Sequence, residues 1–302
     1  MKTLECLLSF KPGALITGRW ERNCYRVIRL LGRGGTGVVY LVKDKNGELR
    51  AMKISSDLVG ITREHRTLLF LNRGNWTVKL KAVPGVYELD DFQIGSIVYH
   101  YIVLDYCPGV SLGKYKGRLT ARQVAMIGQQ AAGFLDCLHR AGLVFGDLKP
   151  GNVLYDFKNN IIYVIDYGSV CFKGQNLQQY TPDYDRASWQ AGTRIADENY
   201  DTFTLGMFLT SLALGKVSGT GAGLAGLISI VTRGIKHPLL RSAVLKTLQQ
   251  RPPRCREVAA ELSIVLEEDG VKGGWEGIGG FVNFIGIASV VSFMLSLAYY
   301  YQ

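Results

Sequence analysis

A chain of 302 residues, 47% hydrophobic and 20% charged, can bury the core of an ordinary two-lobed globular domain plus a small appendage, so it needs neither disulfide staples nor a partner to fold. Thirty-five Lys and Arg against 25 Asp and Glu give a net charge of +10, which favours anionic partners without choosing among them. The six cysteines, at 6, 24, 107, 137, 171 and 255, form no CxxC pair and no Cys/His cluster at metal-ligand spacing; the pattern excludes a zinc framework and suits a reducing cytoplasm.

In chain order, residues 1–23 read as an N-terminal extension. Its opening MKTLECLLSFKPG is broken by Glu5 and reaches Lys11 without a small-residue cleavage site, so no signal peptide is expected. From 24 to 106 short β runs (YRVIRLL, VVYLV, LRAMKI, IVYHYIVLDY) surround one helical segment near 62–72, which predicts a small, mostly β lobe. From 107 to 268 the long segments have helical period, as in ARQVAMIGQQAAGFLDCLHRAG, with a hairpin at VLYDFKNNIIYVID; this predicts a larger, mostly helical lobe. The Gly-rich stretch 214–226 reads as a loop and 269–276 as a juxtamembrane linker. Residues 277–301 carry no charge and contain FVNFIGIASVVSFMLSLA, with Trp275 before it and Tyr299, Tyr300 and Tyr301 after it, the pattern of one C-terminal transmembrane helix, to which a buried C-terminal helix is the alternative. The fold class expected is therefore α+β, two lobes followed by a single membrane span.

LGRGGTGVVY places Gly32, Gly34, Gly37 and Val39 between two β runs. Strand, glycine turn and strand suggest a flap whose amides close over nucleotide phosphates, whereas a dinucleotide turn would lead into a helix. Sixteen residues after Gly37 stands Lys53, whose ammonium suits the α and β phosphates of ATP. A cation there needs a counter-carboxylate, and TREHRTLLFLN supplies Glu64 on the same helical face as Leu68 and Leu71. The alternative for Glu64 is a solvated surface position beside Arg63, His65 and Arg66. In GLVFGDLKPGNVL, Asp147, Lys149 and Asn152 have D-x-K-x-x-N spacing, and Asp166 follows Asn152 by fourteen residues. A carboxylate to accept a hydroxyl proton, a lysine to neutralise a transferring phosphoryl, and an amide with a second carboxylate for Mg²⁺ make the parts of phosphoryl transfer.

These motifs, ordered and spaced in this way from 24 to 266, resemble the eukaryotic-like (Hanks-type) protein kinases. The resemblance implies a bilobal kinase fold, with Val39, Ala51 and Leu154 lining the adenine pocket and Asp105, Tyr106 and Cys107 as the hinge. It implies ATP with Mg²⁺, or Mn²⁺ in its place, and protein Ser or Thr as substrate, since Lys149 in DLKPGN stands where Ser/Thr and Tyr kinases differ. Asp201 resembles the buried Asp of the family's central helix and Arg251 its late structural Arg. SFKPGALITGRW, FGDLKPGN, QQYTPDYDRASWQAGTR and the C-terminal anchor resemble the YabT-type bacterial kinases of spore-forming Firmicutes.

Departures from the family pattern set further expectations. His-Arg-Asp reads Phe145-Gly146-Asp147, which removes the Arg that grips a phosphorylated activation loop, with Phe145 and Tyr167 as packing replacements. Ala-Pro-Glu is missing: Thr181-Pro182-x-Tyr184 fits its spacing and Ala196-Asp197-Glu198 its wording. Eleven residues between Lys53 and Glu64 suggest a short regulatory helix. Thr181, Thr193 and Tyr180 are offered as autophosphorylation sites. The expected partners are Ser/Thr-containing proteins and the membrane, with the kinase domain on its cytoplasmic side. Basic clusters at Lys114, Lys116, Arg118 and Arg122 and across the late helices (Arg233 to Arg256) read as a solvated face, or as a dock for DNA or anionic lipid. A homodimer through the apolar helix stays open, though Gly277, Gly279, Gly280 and Gly286 give no GxxxG pair within the apolar run itself. The competing functions are a membrane-tethered pseudokinase that binds nucleotide without transfer, and a small-molecule or lipid kinase.

Overall fold

The structure, a computed structural model, describes residues 8–73 and 82–268. The smaller lobe is a six-stranded antiparallel sheet of order β1-β2-β3-β4-β6-β5, built from β1 (Leu15–Thr17), β2 (Cys24–Gly34), β3 (Gly37–Lys43), β4 (Leu49–Ser55), β5 (Val86–Ile94) and β6 (Ile97–Asp105). Side chains of alternating direction bury Val27, Tyr40, Val42, Met52, Ile54, Tyr99 and Tyr101 in one core. The stretch read as an N-terminal extension supplies the edge strand β1. It is held by Asp90, whose buried carboxylate accepts the backbone N–H groups of Trp20 and Glu21 at 2.9–3.1 Å. Gly18 must be glycine there, because a Cβ would stand 2.2 Å from the Asp90 Oδ2.

Helix α1 (Leu58–Arg73) crosses the sheet with Ile61, Glu64, Leu68 and Leu71 buried, a 3-4-3 spacing that marks one helical face. At 16 residues it is not the short helix expected from the Lys53 to Glu64 interval; it begins only five residues after Lys53, so the short interval shortens the connection and not the helix. Ile61, Leu68 and Leu71 join the core of the larger lobe, which makes α1 the bridge between lobes.

The larger lobe contains β7 (Val110–Ser111), α2 (Ala121–Arg140), β8 (Leu143–Val144), the β9 (Val153–Asp156) and β10 (Ile161–Val164) hairpin, β11 (Cys171–Phe172), α3 (Glu198–Leu214), α4 (Gly223–Gly234), α5 (Pro238–Thr247) and a last helix α6 over residues 255–268. Helix α2 starts at a capping box in which the Thr120 hydroxyl accepts from Gln123 N at 3.2 Å and the Gln123 Oε1 accepts from Thr120 N at 2.9 Å. Helix α3 is buried on every side from Tyr200 to Ser211, as a central helix must be, and its apolar all-round composition agrees. The loop expected over 214–226 is corrected at its end: Gly223 already starts α4. Among the described residues no helix is long and apolar enough to cross a membrane, and the apolar run at 277–301 lies outside them.

Candidate active site

Strands β2 and β3 meet at Gly34 and Gly37, so the glycine run is the hairpin turn of a flap. Gly37 has φ +145°, and a Cβ on it would approach the Ile54 carbonyl oxygen to 2.2 Å, which no side chain tolerates. Gly34 and Gly35 face open space. Beneath the flap, Val39 of β3 lies opposite Lys53 of β4, and Ala51 lies opposite Leu104 of β6. Leu154, partly buried, lies on β9, where it pairs with Tyr163 of β10 and Ser111 of β7. Asp105 ends β6, where its carboxylate accepts from Gly85 N at 2.8 Å and Tyr87 Oη at 2.6 Å. Cys107, two residues past the ladder, is buried, and burial pushes its thiol up to about 12. The hinge thiol is therefore neutral at physiological pH.

A carboxylate on the buried face of α1 cannot stay unpaired. Glu64, 3% exposed, accepts from the Lys53 Nζ at 2.6 Å and from Tyr167 N at 3.3 Å. The solvated-surface alternative for Glu64 is thereby set aside. The same Nζ donates to the Asp166 Oδ1 at 3.0 Å, so one ammonium joins sheet, helix and catalytic lobe. Burial alone would lower the Lys53 pKa, but the carboxylates of Glu64 and Asp166 more than offset it and hold the ammonium charged. Burial would raise Asp166, yet the Lys53 charge and hydrogen bond and the Gly168 N–H keep it below the usual carboxylate range. Asp166 also adopts φ 67°, a left-handed conformation uncommon outside glycine and of the kind that collects at working sites.

The loop carrying Asp147 is fixed from below. Asp201 on α3, fully buried, accepts the N–H groups of Phe145 and Gly146, each at 2.8 Å, and pairs with the His139 Nε2 at 2.9 Å. Phe145 packs edge-on against Phe134 and Tyr167, with ring centroids 5.4 and 5.9 Å apart, as its role of packing replacement requires. Gly146, in the place of the lost Arg, has φ +81°, and a Cβ there would meet the Leu177 Cδ2 at 2.6 Å. A side chain at this position would be strained.

Above that loop the Asp147 Oδ2 accepts from the Lys149 Nζ at 2.5 Å, and the Asn152 Nδ2 donates to the Asp147 carbonyl oxygen at 2.9 Å. The Thr181 hydroxyl donates to the Asp147 Oδ1 at 2.8 Å and accepts from the Lys149 Nζ at 2.7 Å. Thr181, offered by the sequence as an autophosphorylation site, thus clamps the two groups that would touch an acceptor hydroxyl.

For a metal ion, Asn152 offers its Oδ1, since its Nδ2 is engaged by Asp147, and Asp166 offers lone pairs not used by Lys53. Two hard oxygen donors facing a phosphate cleft fit Mg²⁺, which takes one or two protein ligands and completes its shell with phosphate and water. Among the described residues no cluster of three or more His, Cys, Asp or Glu forms a cage that would hold a metal unaided.

The sequence reading missed several partners: His139 and Ser169 beneath the loop, Thr36 at the flap tip 3.4 Å from the Asp166 Oδ2, and a fork between Arg186 and Asp197. The Arg186 Nη1 and Nη2 donate to the two Asp197 oxygens at 3.0 Å each, and its guanidinium also reaches the Thr193 carbonyl oxygen. Next to it, fully buried Asp185 accepts from the Arg194 Nε at 2.9 Å, the Tyr200 Oη at 2.9 Å and the Ser188 Oγ at 2.6 Å. These pairs anchor the segment after Thr181. Arg251, likened to the family's late structural Arg, is exposed and makes no hydrogen bond or ion pair among the described residues, and of Ala196-Asp197-Glu198 it is Asp197 that binds an Arg while Glu198 pairs with Lys173 at 2.5 Å. A run of Asp-Arg-x-Ser was the only available signal.

Residues 25–222 match the protein kinase domain. The chain belongs to that family. It is 33% identical over 211 residues to the serine/threonine-protein kinase YabT of Bacillus subtilis (strain 168), a stretch that covers 69% of this chain and 61% of YabT, so the chain spans about three fifths of that relative's length. Among solved structures it superposes on vaccinia related kinase 3 with a TM-score of 0.67 at 15% identity, covering 86% of this chain and 93% of that one, a likeness of fold. The Lys53, Glu64 and Asp166 linkage and the Asp147 loop of this kinase domain thus sit in the cleft between the lobes of a protein kinase fold.

Proposed function

We propose that this chain is an ATP-dependent protein Ser/Thr kinase, held by residues 277–301 at the cytoplasmic face of the cell membrane. The observation that carries the reading is the Lys53 ammonium bonded at once to Glu64 at 2.6 Å and to Asp166 at 3.0 Å, with Asp147, Lys149 and Asn152 assembled across the cleft. Together these groups supply the parts that phosphoryl transfer needs, which supports the reading.

In this reading Lys53, positioned by Glu64, orders the α and β phosphates of ATP beneath the flap, and Asn152 and Asp166 hold Mg²⁺. The bound metal supplies positive charge against the phosphate oxygens and the leaving diphosphate. Asp147 orients the Ser or Thr hydroxyl and takes its proton as the oxygen bonds to the γ-phosphorus and the bond to the β,γ-bridging oxygen breaks. Lys149 offsets charge on the phosphoryl in flight. Ordered Thr181 and Pro182 beside Asp147 favour a peptide over a small molecule as acceptor, and intact metal donors favour transfer over the pseudokinase.

Autophosphorylation at Thr193 or Tyr180, both exposed, follows from the same chemistry in trans between two copies. The basic clusters, Lys114 to Arg122 and the late helices, offer anionic lipid or DNA a route of control that dispenses with a phospho-gripping Arg. The test is labelled phosphate transfer by the full-length chain to itself and to a generic protein, with and without anionic vesicles or DNA, beside membrane fractionation of the cells that express it. Ser/Thr labelling in the membrane fraction supports the reading; Mg²⁺-dependent nucleotide binding without transfer under every condition refutes it.

A further inference from the structure

A second cavity of about 380 Å³ opens beside the catalytic loop, and one of its walls is Lys149, the residue that binds Asp147 and Thr181 on its other side. Its rim carries two more cations, Arg118 and Lys216, and no residue lining it is an Asp or Glu. Arg118 makes no ion pair among the described residues, and Lys216 is 75% exposed with one carboxylate, Asp183, at 3.3 Å. Gly113 and Gly151 contribute bare backbone to the lining. Gly113 donates to the Pro150 carbonyl at 2.9 Å and lies so near Gly151 that a Cβ would stand 2.9 Å from its Cα, whereas Gly151 itself faces open space. No side chain neutralises the cavity from below. Lys114, on the same segment as Arg118, carries its ammonium to within 3.9 Å of where a Gly32 Cβ would be, so positive charge continues from the cavity toward the flap.

We infer that this cavity is a specificity site that takes an anionic side chain of the substrate, a carboxylate or a phosphate, within a few residues of the phosphorylated Ser or Thr. The inference rests on the kinase reading and adds the class of substrate. An acceptor hydroxyl on Asp147 places its own chain against Lys149, and a neighbouring side chain that turns past Lys149 enters the cavity. Of its three cations Lys149 holds Asp147 and Lys216 holds Asp183, both from outside the lining, while Arg118 makes no ion pair among the described residues; an Asp, Glu or phosphoserine would meet its complement there and an Arg or Lys would not. The rim is exposed, so salt weakens the preference.

The experiment compares peptides identical but for the residues flanking one acceptor Ser, bearing Asp, Glu, phosphoserine, Ala or Arg, phosphorylated by the full-length chain in detergent micelles. The acidic peptides should show kcat/KM roughly tenfold above the Arg peptide, about 1.4 kcal/mol, carried mainly by KM. The Asp and Glu arms against the phosphoserine arm separate the two sources of negative charge. The double variant Arg118→Glu with Lys216→Glu should reverse the order of kcat/KM among the peptides, and Arg118→Ala alone should give an intermediate preference. Equal rates on all peptides, or a preference the double variant does not move, overturns the inference and leaves the kinase reading standing. Transfer to no peptide and to no protein overturns both.

Discussion

Removing the Thr181 hydroxyl while keeping its shape separates an orienting role from that of a phosphate acceptor. In the structure that one oxygen donates to the Asp147 Oδ1 at 2.8 Å and accepts from the Lys149 Nζ at 2.7 Å. Hydrogen bonds to charged groups contribute about 1.5–3 kcal/mol each. Thr181→Val leaves Asp147 and Lys149 bonded to each other, so only part of that is lost, and the loss falls on the orientation needed at transfer. A cost of about 1.4–2.7 kcal/mol in the transition state corresponds to a 10- to 100-fold drop in kcat. KM for ATP should stay within about twofold, an allowance well under 1.4 kcal/mol, because Lys53 and Asp166 do not touch Thr181. Thr181→Ser restores the hydroxyl and should recover most of the rate. Steady-state transfer assays on the three proteins, with phosphosite mapping of the wild type, decide the matter. Near wild-type kcat for Thr181→Val, equal impairment of Thr181→Ser, or full phosphorylation of Thr181 in the most active preparation would each refute the reasoning.

Three further outcomes follow from the same geometry. The buried Tyr167 hydroxyl has no hydrogen-bond partner among the described residues, so Tyr167→Phe should stabilise the fold by about 1–3 kcal/mol and raise Tm by several degrees in a thermal melt; a fall in Tm would show that the hydroxyl is satisfied. Restoring the family's Arg with Gly146→Arg forces a side chain into φ +81° and should cost about 1–3 kcal/mol, read by denaturant titration, with no gain in activity upon phosphorylation. Burial would raise the Asp185 carboxyl, but bonds from Ser188, Arg194 and Tyr200 outweigh it and depress the pKa. Its contribution is therefore complete above an unfolded value of about 3.9 and lost as pH falls through the lower folded value. Asp185→Asn should be less stable than wild type at pH 7, and the gap should close below about pH 4; a gap that is constant with pH would contradict the assignment.

The candidate catalytic groups were legible because phosphoryl transfer fixes both residue type and interval, and the structure bonds Lys53 to Asp166 and joins Lys149 and Asn152 to Asp147. Glu64 was legible through periodicity, since a carboxylate on the face of Leu68 and Leu71 must find a buried cation. What stayed hidden was set by tertiary contact alone. Nothing local marks Asp90 as the group that holds Trp20 and Glu21 on the sheet, or Thr36 as the flap's reach to Asp166. The pair of Arg186 and Asp197, eleven residues apart in one loop, has no periodic signature and stayed hidden too. The helix at Gly223 escaped notice because glycine runs read as loops until packing by Leu227 and Val231 pays for the turn.

The central claim is that the Lys53 and Asp147 halves of this cleft act together on one phosphoryl group. Transfer of labelled γ-phosphate from Mg-ATP by the full-length chain, beside Asp147→Asn and Lys53→Ala, tests it most directly. The account predicts Ser/Thr labelling that falls at least 100-fold, about 2.7 kcal/mol, with either substitution, while Asp147→Asn still binds nucleotide. Labelling that survives Asp147→Asn, or nucleotide binding with no transfer by the wild type, would contradict it.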